Sequence, residues 1–336
     1  MKQYLIKLAA GESLTTEEAA DAMGKCMSGE ATEIEIAGFL TALHMKGETI
    51  EEIAGSAKAI QQKAEQIHPK AETFIDIVGT GGDYLNSFNI STTAAFIIAA
   101  AGLPVAKHGN RSVSSRSGAG DVLEALGVKI DLEPSKVEEC INATNYGFMF
   151  APAFDKAFKY VGKVRKELGF RTIFNIMGPM SNPSRAQYML YGAFSKDLTE
   201  PLARVLLSMG AKHAMVVSAE NGMDEISNTG LTYISEVRCG DVVSYTIHPS
   251  QFGFETADVS DLVGGDGFVS ADITKKILSG EDRGPKRDIV LMDAGAALYV
   301  GGKSASIEEG IALAGKIVDD GLAIKKLDEI VAFTNK

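Results

Sequence analysis

The chain has 336 residues, of which 45% are hydrophobic and 23% charged, and its formal net charge is −11. These fractions are typical of a globular protein with a sizeable core and argue against global disorder. The excess of acidic residues disfavours a nucleic-acid binder, because clustered Lys and Arg are needed to neutralise a phosphate backbone. The length allows two domains of ordinary size.

The cysteine pattern and the hydropathy pattern indicate a soluble cytoplasmic protein. Three scattered cysteines with no Cys-x-x-Cys pair fit a reducing compartment better than a disulfide framework. Residues 1–10 contain no signal-peptide core. The longest nearly apolar run, residues 94–106, is too short to span a bilayer and is interrupted by Gly102 and Pro104. We therefore expect no membrane partner.

The first seventy residues predict helices. Thr15, Thr32 and Thr49 each stand three residues before a Glu, which is the capping-box pattern at a helix start. Apolar residues at helical spacing follow each box. We expect a small helical domain over residues 1–70, to which helices from about 160–183 are added, and a larger domain over residues 71–336.

The larger domain predicts an α/β fold. Alternating strands and helices imply right-handed βαβ units and a mostly parallel central sheet flanked by helices. The predicted strands are 73–78, 105–107, 128–132, 187–194 and 213–218, followed by a hairpin of 231–238 with 242–247. The predicted helices are 91–101, 121–126, 155–168 and 198–209, with a helical C-terminal stretch over 289–333.

Two segments that follow the first predicted strand are suited to an anion. Gly79–Asp83 lets the backbone approach a ligand and direct N–H groups at it. It is not a P-loop, since no Gly-Lys-Ser/Thr ends it, and Tyr84 breaks the dinucleotide fingerprint. Asn89–Thr92 begins the next helix, where free N–H groups bind phosphate. A tight turn and an ordinary helix cap remain alternatives.

Three further segments carry charge. Residues 107–121 combine Lys107, Arg111 and Arg116 with Ser and Gly donors, which predicts an anion-binding loop in an otherwise acidic chain. Asp224-Glu225 follows a predicted strand, and adjacent carboxylates without His or Cys suit Mg²⁺, although an exposed pair would look the same. The planar guanidinium of Arg165 can bind a carboxylate through two hydrogen bonds. The sequence does not distinguish this role from two others, in which Arg165 interacts with the helix dipole or is simply solvated.

In order and spacing these motifs resemble the anthranilate phosphoribosyltransferases. The resemblance rests on Gly79–Asp83, Asn89–Thr92, Lys107–Asp121, Arg171–Pro183 and Gly222–Ser227, and it extends over essentially the whole chain. It implies a fold of the nucleoside phosphorylase/phosphoribosyltransferase type, with the active site in a cleft between the two domains. It also implies a homodimer formed through the helical domains, two Mg²⁺ ions per subunit, and transfer of the phosphoribosyl group of phosphoribosyl pyrophosphate to anthranilate in tryptophan biosynthesis.

The resemblance also assigns site residues. Those for phosphoribosyl pyrophosphate are Gly79, Thr80, Gly82, Asp83, Ser87, Asn89, Ile90, Ser91, Thr92, Lys107, His108, Gly109, Asn110, Arg111, Ser112, Val113, Ser114, Ser115 and Ala119. Those for anthranilate are Gly79, His108, Asn110 and Arg165, and those for Mg²⁺ are Ser91, Asp224 and Glu225. The amine needs placement more than activation; if a general base contributes, His108 is the candidate.

The sequence departs from the family pattern at two places. Asp155-Lys156 stands where the family often has His-Pro, and Ala119 stands where it favours Ser or Thr. Because an ionised Asp would repel the anthranilate carboxylate, we expect Asp155 to point away or to be neutralised by Lys156 or Lys159.

Two other functions are considered. A nucleoside phosphorylase of related fold would have no need for Arg165 beside a polyphosphate site. A non-catalytic relative that binds nucleic acid would show a broad basic face and would lack the Asp224-Glu225 pair, and neither feature fits this sequence.

Overall fold

The computed structural model describes residues 1–81, 85–112, 116–155 and 157–336. Within these ranges the chain forms fifteen α-helices and seven β-strands. The strands are β1 (Ile75–Gly79), β2 (Val105–Gly109), β3 (Tyr146–Phe150), β4 (Tyr188–Gly192), β5 (His213–Ala219), β6 (Thr232–Arg238) and β7 (Asp241–Ile247). The helices are α1 (Lys2–Ala9), α2 (Thr16–Ser28), α3 (Glu33–Lys46), α4 (Ile50–Lys63), α5 (Ile90–Ala100), α6 (Ala119–Ala125), α7 (Pro134–Thr144), α8 (Ala151–Phe154), α9 (Phe158–Leu168), α10 (Ile173–Met177), α11 (Thr199–Ser208), α12 (Gly267–Leu278), α13 (Pro285–Val300), α14 (Ile307–Asp319) and α15 (Leu322–Thr334).

The N-terminal helices begin where the capping boxes predict. In α2, α3 and α4 the Thr side chain accepts the backbone N–H of the Glu three residues on, and that Glu accepts the N–H of the Thr. Glu52 of the third box is fully buried, and it also accepts the N–H of Leu14 at 2.9 Å and pairs with Lys46 at 2.8 Å. The apolar faces of these helices share one core with α9, α10 and one face of the sheet.

The sheet has the order β3-β2-β1-β4-β5-β6-β7. The first five strands are parallel and the last two antiparallel, which confirms the expected mostly parallel sheet flanked by helices. Helix α5 is buried over most of its length and lies in the core with α13 and α15. The parallel order brings the C-terminal ends of β2, β1 and β4 side by side at one edge.

The predicted hairpin of β6 and β7 is also confirmed. Arg238 pairs with Asp241, and the connecting residues Cys239 and Gly240 have φ angles of 53° and 80°. Two consecutive positive φ angles are those of a type I′ turn, whose twist matches that of antiparallel strands.

The strand predicted over residues 128–132 is wrong. The backbone N–H groups of this segment form hydrogen bonds outside the sheet: Val128 N–H donates to the carbonyl of Leu123, and Lys129 N–H donates to Thr334 Oγ1. The side chains of Val128 and Ile130 are buried without strand pairing. The next strand is instead β3, which the sequence analysis missed.

The helix predicted over residues 155–168 begins three residues later, at Phe158. Asp155 separates it from α8, because its φ and ψ of −132° and 88° lie outside the helical region.

Candidate active site

A cavity of about 420 Å³ opens where β1 and β2 end. This is the usual position of a ligand site in an open α/β sheet, and the volume suits a small molecule. Its wall contains these predicted site residues: Gly79, Thr80, Ser87, Asn89, Ser91, Thr92, Lys107, His108, Gly109, Asn110, Arg111, Ser112, Ala119, Asp224 and Glu225. A second cavity, of about 470 Å³, lies between α4 and α11 and contains none of them.

Some predicted site residues are not in this wall. The side chain of Ile90, the first residue of α5, is buried in the core, so only its backbone is available to a ligand. Arg165 lies outside the wall. Gly82, Asp83, Val113, Ser114 and Ser115 lie outside the described residues.

Glycines at the strand ends make room for the acidic loop after β5. A Cβ atom on Gly79 would lie 2.2 Å from Oδ2 of Asp224, and one on Gly192 would lie 1.6 Å from its carbonyl oxygen. Gly81, at φ +66°, donates its N–H to the same Oδ2 at 2.6 Å. The sequence therefore places Asp224 directly against the glycine loop, which brings the two predicted motifs into one site.

Ser91 connects the basic and acidic sides of the cavity. Its Oγ accepts from Lys107 Nζ at 3.2 Å, and its N–H donates to Glu225 Oε1 at 3.3 Å. Lys107 is only 2% exposed, and its Nζ also donates to the carbonyl of Ile77. Burial lowers the pKa of Lys107, and the nearby carboxylates oppose this. Asn89 Oδ1, at the start of α5, is buried with no hydrogen-bond partner among the described residues, so it can receive a ligand donor.

The acidic side suits a hard divalent cation. The pKa of Glu225 is raised well above its ordinary value, mainly by burial and secondly by the nearby Asp293. Burial also raises the pKa of Asp293 to about 6. Asp293 Oδ1 accepts the N–H of Ile226 at 2.9 Å, whereas Oδ2 is buried without a donor in the described structure. A cation nearby would favour the ionised form of both groups.

The carboxylates would not hold such a cation alone. Within the described ranges no three His, Cys, Asp or Glu side chains converge closely enough to form a metal site. Mg²⁺ fits this arrangement, because it usually takes one or two carboxylates and fills its octahedron with waters and substrate phosphate.

His108 lies at the back of the cavity. It is 8% exposed, and burial lowers its pKa to about 4. The backbone of Gly178, at the end of α10, opposes this lowering. The imidazole is therefore neutral near pH 7, and its geometry is that of a hydrogen-bonding wall residue rather than of a strong base.

Arg165 lies on α9 beside α10. Its guanidinium is 4.8 Å from the ring centroid of Phe174, and burial lowers its pKa. The guanidinium forms no ion pair or hydrogen bond with any residue in the described part of the chain. Asn175, the residue after Phe174, does line the cavity. A half-buried guanidinium without a carboxylate partner next to this wall can receive an acidic ligand.

Comparison with known proteins identifies the family. Residues 71–324 match the family model "Glycosyl transferase family, a/b domain", and residues 2–64 match "Glycosyl transferase family, helical bundle domain". The anthranilate phosphoribosyltransferase of Acetivibrio thermocellus is 51% identical, over 100% of this chain and 97% of its own. That of Methanocorpusculum labreanum is 50% identical, over 97% and 95%. The chain belongs to the anthranilate phosphoribosyltransferase family.

Solved structures of the family have the same fold. The anthranilate phosphoribosyltransferase of Thermus thermophilus superposes with a TM-score of 0.94 at 40% identity, over 99% of both chains. The Saccharomyces cerevisiae enzyme in complex with PRPP and Mg gives 0.90 at 28% identity, over 99% of this chain and 97% of that one.

Asp155 departs from the family pattern in a buried position. It is 4% exposed, its Oδ1 accepts the N–H of Ala157 at 2.9 Å, and its Oδ2 has no donor among the described residues. Burial raises its pKa, which favours the neutral form. Lys159 does not pair with it but lies over the ring of Tyr160, and Lys156 is outside the described residues. Asp155 is also absent from the cavity wall.

Three buried polar residues behind the cavity were not among the predicted site residues: Asp76, Asn182 and Asp293. Each is at most 2% exposed. Asp76 is the one charged residue of an apolar strand, and Asp293 lies in the apolar stretch of α13, so a lone polar residue in a buried element was the available signal. Asn182 carried no comparable signal.

Proposed function

We propose that this chain transfers the phosphoribosyl group of phosphoribosyl pyrophosphate to the amine of anthranilate. The products are N-(5-phosphoribosyl)anthranilate and pyrophosphate, as in tryptophan biosynthesis. The observation that carries the proposal is the convergence of Lys107, the start of α5 and the Asp224-Glu225 pair on one cavity. It is supported by the names of the relatives and by yeast structures in complex with PRPP and Mg and with 4-fluoroanthranilate.

Phosphoribosyl pyrophosphate would bind along the strand ends. The N–H groups of the glycine loop and of the first turn of α5 can donate to its phosphates, and Lys107 supplies positive charge. Arg111 is held by Glu124 at 2.7 Å and lies over the ring of Phe150, so its orientation is fixed at the rim of the cavity. In this arrangement Lys107 and the backbone donors stabilise charge that develops on the leaving pyrophosphate.

Mg²⁺ is the proposed metal, with two ions per subunit. Ser91, Asp224 and Glu225 would hold it, and the buried carboxylate of Asp293 behind Glu225 adds negative charge that favours a cation there. When bound, Mg²⁺ neutralises negative charge on pyrophosphate. The number of Mg²⁺ ions, two per subunit, rests on the family resemblance alone.

Anthranilate would enter from the side of α9 and α10. Arg165 would receive its carboxylate, while Gly79, His108 and Asn110 would line the path of the ring and amine. The lone pair of a neutral aniline is already available, so the protein needs only to place it. Placement of this kind lowers a barrier by about 7–11 kcal/mol. The neutral ring of His108 agrees with a mechanism that has no dedicated base.

The assembly proposed is a homodimer of two-domain subunits, with residues 1–70 and the helices from about 160–183 in the smaller domain. Ile6, Ile34 and Met45, on α1 and α3, are 63%, 85% and 81% exposed, and a dimer would cover them. Sedimentation equilibrium that finds a monomer at micromolar concentration would contradict the dimer. We place the enzyme in the cytoplasm because its three cysteines are free. No described helix is long and apolar enough to cross a membrane.

Two assays test the proposed reaction. Consumption of anthranilate that depends on phosphoribosyl pyrophosphate supports it. Phosphate-dependent cleavage of a nucleoside, without anthranilate consumption, would favour the nucleoside phosphorylase alternative instead.

A further inference from the structure

The cavity between α4 and α11 has a volume of about 470 Å³, slightly more than that of the active-site cavity at about 420 Å³. It lies beside Gln187 and Met189 at the start of β4 and beside Gly210 and Ala211 just before β5. The active-site cavity lies where β1 and β2 end, and these strands run parallel to β4 and β5, so the two cavities are at opposite edges of the sheet. The proposed reaction uses no residue of this second wall.

The second cavity lies between the two domains. Helix α4 belongs to the stretch 2–64 that matches the helical bundle domain, and α11 belongs to the stretch 71–324 that matches the a/b domain. Gln61 on α4 donates its Nε2 to the carbonyl of Met180 at 2.7 Å, which fixes α4 to the segment after α10. Ligand sites occur preferentially at such domain interfaces, and the volume suits a small molecule. An occupant would therefore contact both domains at once.

The wall of this cavity combines apolar surface with positive charge. Met180, Met189 and Leu206 supply apolar surface and are 2%, 4% and 3% exposed. Lys58 and Arg185 are the charged residues of the wall, and among the described residues no Asp or Glu lines it. In a chain whose net charge is −11, a wall with two cations and no carboxylate favours an anion.

Neither cation has a partner in the described part of the fold. The exposed side chains of Lys58 and Arg185 form no ion pair and no hydrogen bond with any described residue. Arg185 also has a φ of 53°, a left-handed conformation that glycine or asparagine adopts with less strain. Its backbone N–H donates to the carbonyl of Asn182 at 3.1 Å, so a turn holds the arginine in place. A planar guanidinium without a partner is suited to bind a carboxylate or a similar acidic group.

We propose that this cavity is a second binding site, for a small organic acid with an apolar body. The apolar body would lie against Met180, Met189 and Leu206, and the acidic group would pair with Lys58 and Arg185. The occupant would hold α4 against α11 without displacing either substrate, since the active-site cavity is at the other edge of the sheet. The site goes beyond the proposed function and can be tested by binding alone.

Fluorescence titration with 1-anilinonaphthalene-8-sulfonate tests the site, because this probe has an apolar ring system and one acidic group. The double variant Lys58→Gln, Arg185→Asn should raise its dissociation constant roughly tenfold or more, because charged hydrogen bonds are lost. Asn tolerates the left-handed conformation at position 185. The matched control is Lys63→Gln, Lys129→Gln, which removes two exposed positive charges outside the wall. It should change the constant less than about twofold, because distant surface charges are screened by salt.

Competition for the bound probe identifies the chemistry of the ligand. Octanoate has both an apolar chain and an acidic group and should displace the probe, whereas octanol and acetate, which each lack one of them, should do so far less. Phosphoribosyl pyrophosphate with Mg²⁺ should not displace it. In calorimetry octanoate should raise the midpoint of thermal unfolding of the wild type and of the control, because a ligand that binds only the folded chain stabilises it. It should not do so for the Lys58, Arg185 double variant.

Absence of probe binding, or equal affinity in the wild type and the Lys58, Arg185 double variant, would overturn the proposal. Displacement by phosphoribosyl pyrophosphate would place the probe in the active site instead, and equal displacement by octanol and octanoate would remove the need for an acidic group. Either result overturns the proposal as well.

Ala211→Leu is a second test that keeps both cations. Ala211 lines the cavity, so a larger side chain should reduce the volume and weaken probe binding. Unchanged affinity in a folded Ala211→Leu protein contradicts the site. A wild type that shows this binding pattern but consumes no anthranilate contradicts only the proposed function, whereas an active wild type without the pattern contradicts only this proposal.

Discussion

Gly79 and Asp224 lie so close that a Cβ atom on the glycine would be 2.2 Å from the carboxylate oxygen Oδ2. The glycine at the end of β1 is thus required by an acidic residue 145 positions later, rather than by its own backbone conformation. Asp224 in turn accepts the N–H of Gly81 at 2.6 Å, so the glycine loop and the acidic loop are built as one unit.

Gly79→Ala should therefore displace Asp224 and weaken Mg²⁺-dependent binding of phosphoribosyl pyrophosphate. A shift on the order of 1 Å in such a site costs roughly a hundredfold in rate. Gly24→Ala is the matched control, because a Cβ atom at Gly24, inside α2, meets no atom within 4 Å. Its activity should be unchanged and its stability slightly higher. Wild-type binding and turnover in Gly79→Ala would show that the contact is not needed.

Removing the charges of the acidic pair should remove the metal requirement together with the activity. The double variant Asp224→Asn, Glu225→Gln should lose about a hundredfold or more in kcat, because a main source of electrostatic stabilisation is lost. The control replaces Asp319 and Asp320, an exposed acidic pair at the end of α14, with Asn. Rates are measured over a Mg²⁺ titration. Near-normal rates in the first double variant would refute this metal site.

Arg165→Ala should raise KM for anthranilate at least about tenfold, and KM for phosphoribosyl pyrophosphate far less, because a charged hydrogen bond is lost. Aniline, which has no carboxylate, should be affected little. Lys166→Ala, at the exposed next position of α9, is the matched control. Asp155→Asn should leave anthranilate kinetics nearly unchanged, since Asp155 is buried outside the cavity wall. Equal losses with anthranilate and aniline in Arg165→Ala would make Arg165 structural.

The pH dependence tests the role of His108. Its pKa is lowered to about 4 by burial, so its ring stays neutral and should produce no inflection in kcat/KM between about pH 6 and 8. Below about pH 6.5 the unfolded chain binds a proton that the folded chain does not. His108 should therefore contribute a decrease in the free energy of unfolding as the pH is lowered towards 4, in the direction opposite to the contribution of the buried carboxylates Asp76 and Asp293, whose pKa is raised to about 6. An inflection near neutral pH that His108→Asn abolishes would instead identify His108 as a general base.

The features predicted correctly from the sequence are those that depend on residues close together in the chain. The Thr-x-x-Glu boxes placed the starts of α2, α3 and α4, and the positive φ angles at Cys239 and Gly240 belong to the expected hairpin. The short run of β3 was missed, because five consecutive buried residues fit a strand and a buried helix equally well.

The buried polar contacts that were not predicted join residues far apart in the sequence. Asn182 and Asp76 are 106 residues apart, and Asp293 and Ile226 are 67 apart. No local pattern pairs such residues, since only the order of the strands brings them together. The motifs at the cavity could be found because each combines several donors or acceptors within a few positions, whereas the buried network behind them has one residue per element.

The most direct measurement of the central claim is the fluorescence of anthranilate mixed with the purified protein. The signal should fall only when phosphoribosyl pyrophosphate and Mg²⁺ are both present, with one pyrophosphate released for each anthranilate consumed. It should stay constant when either is omitted, or when the variant lacking both charges at Asp224 and Glu225 replaces the wild type. A constant signal with the complete mixture, from a folded protein, would contradict the proposed reaction.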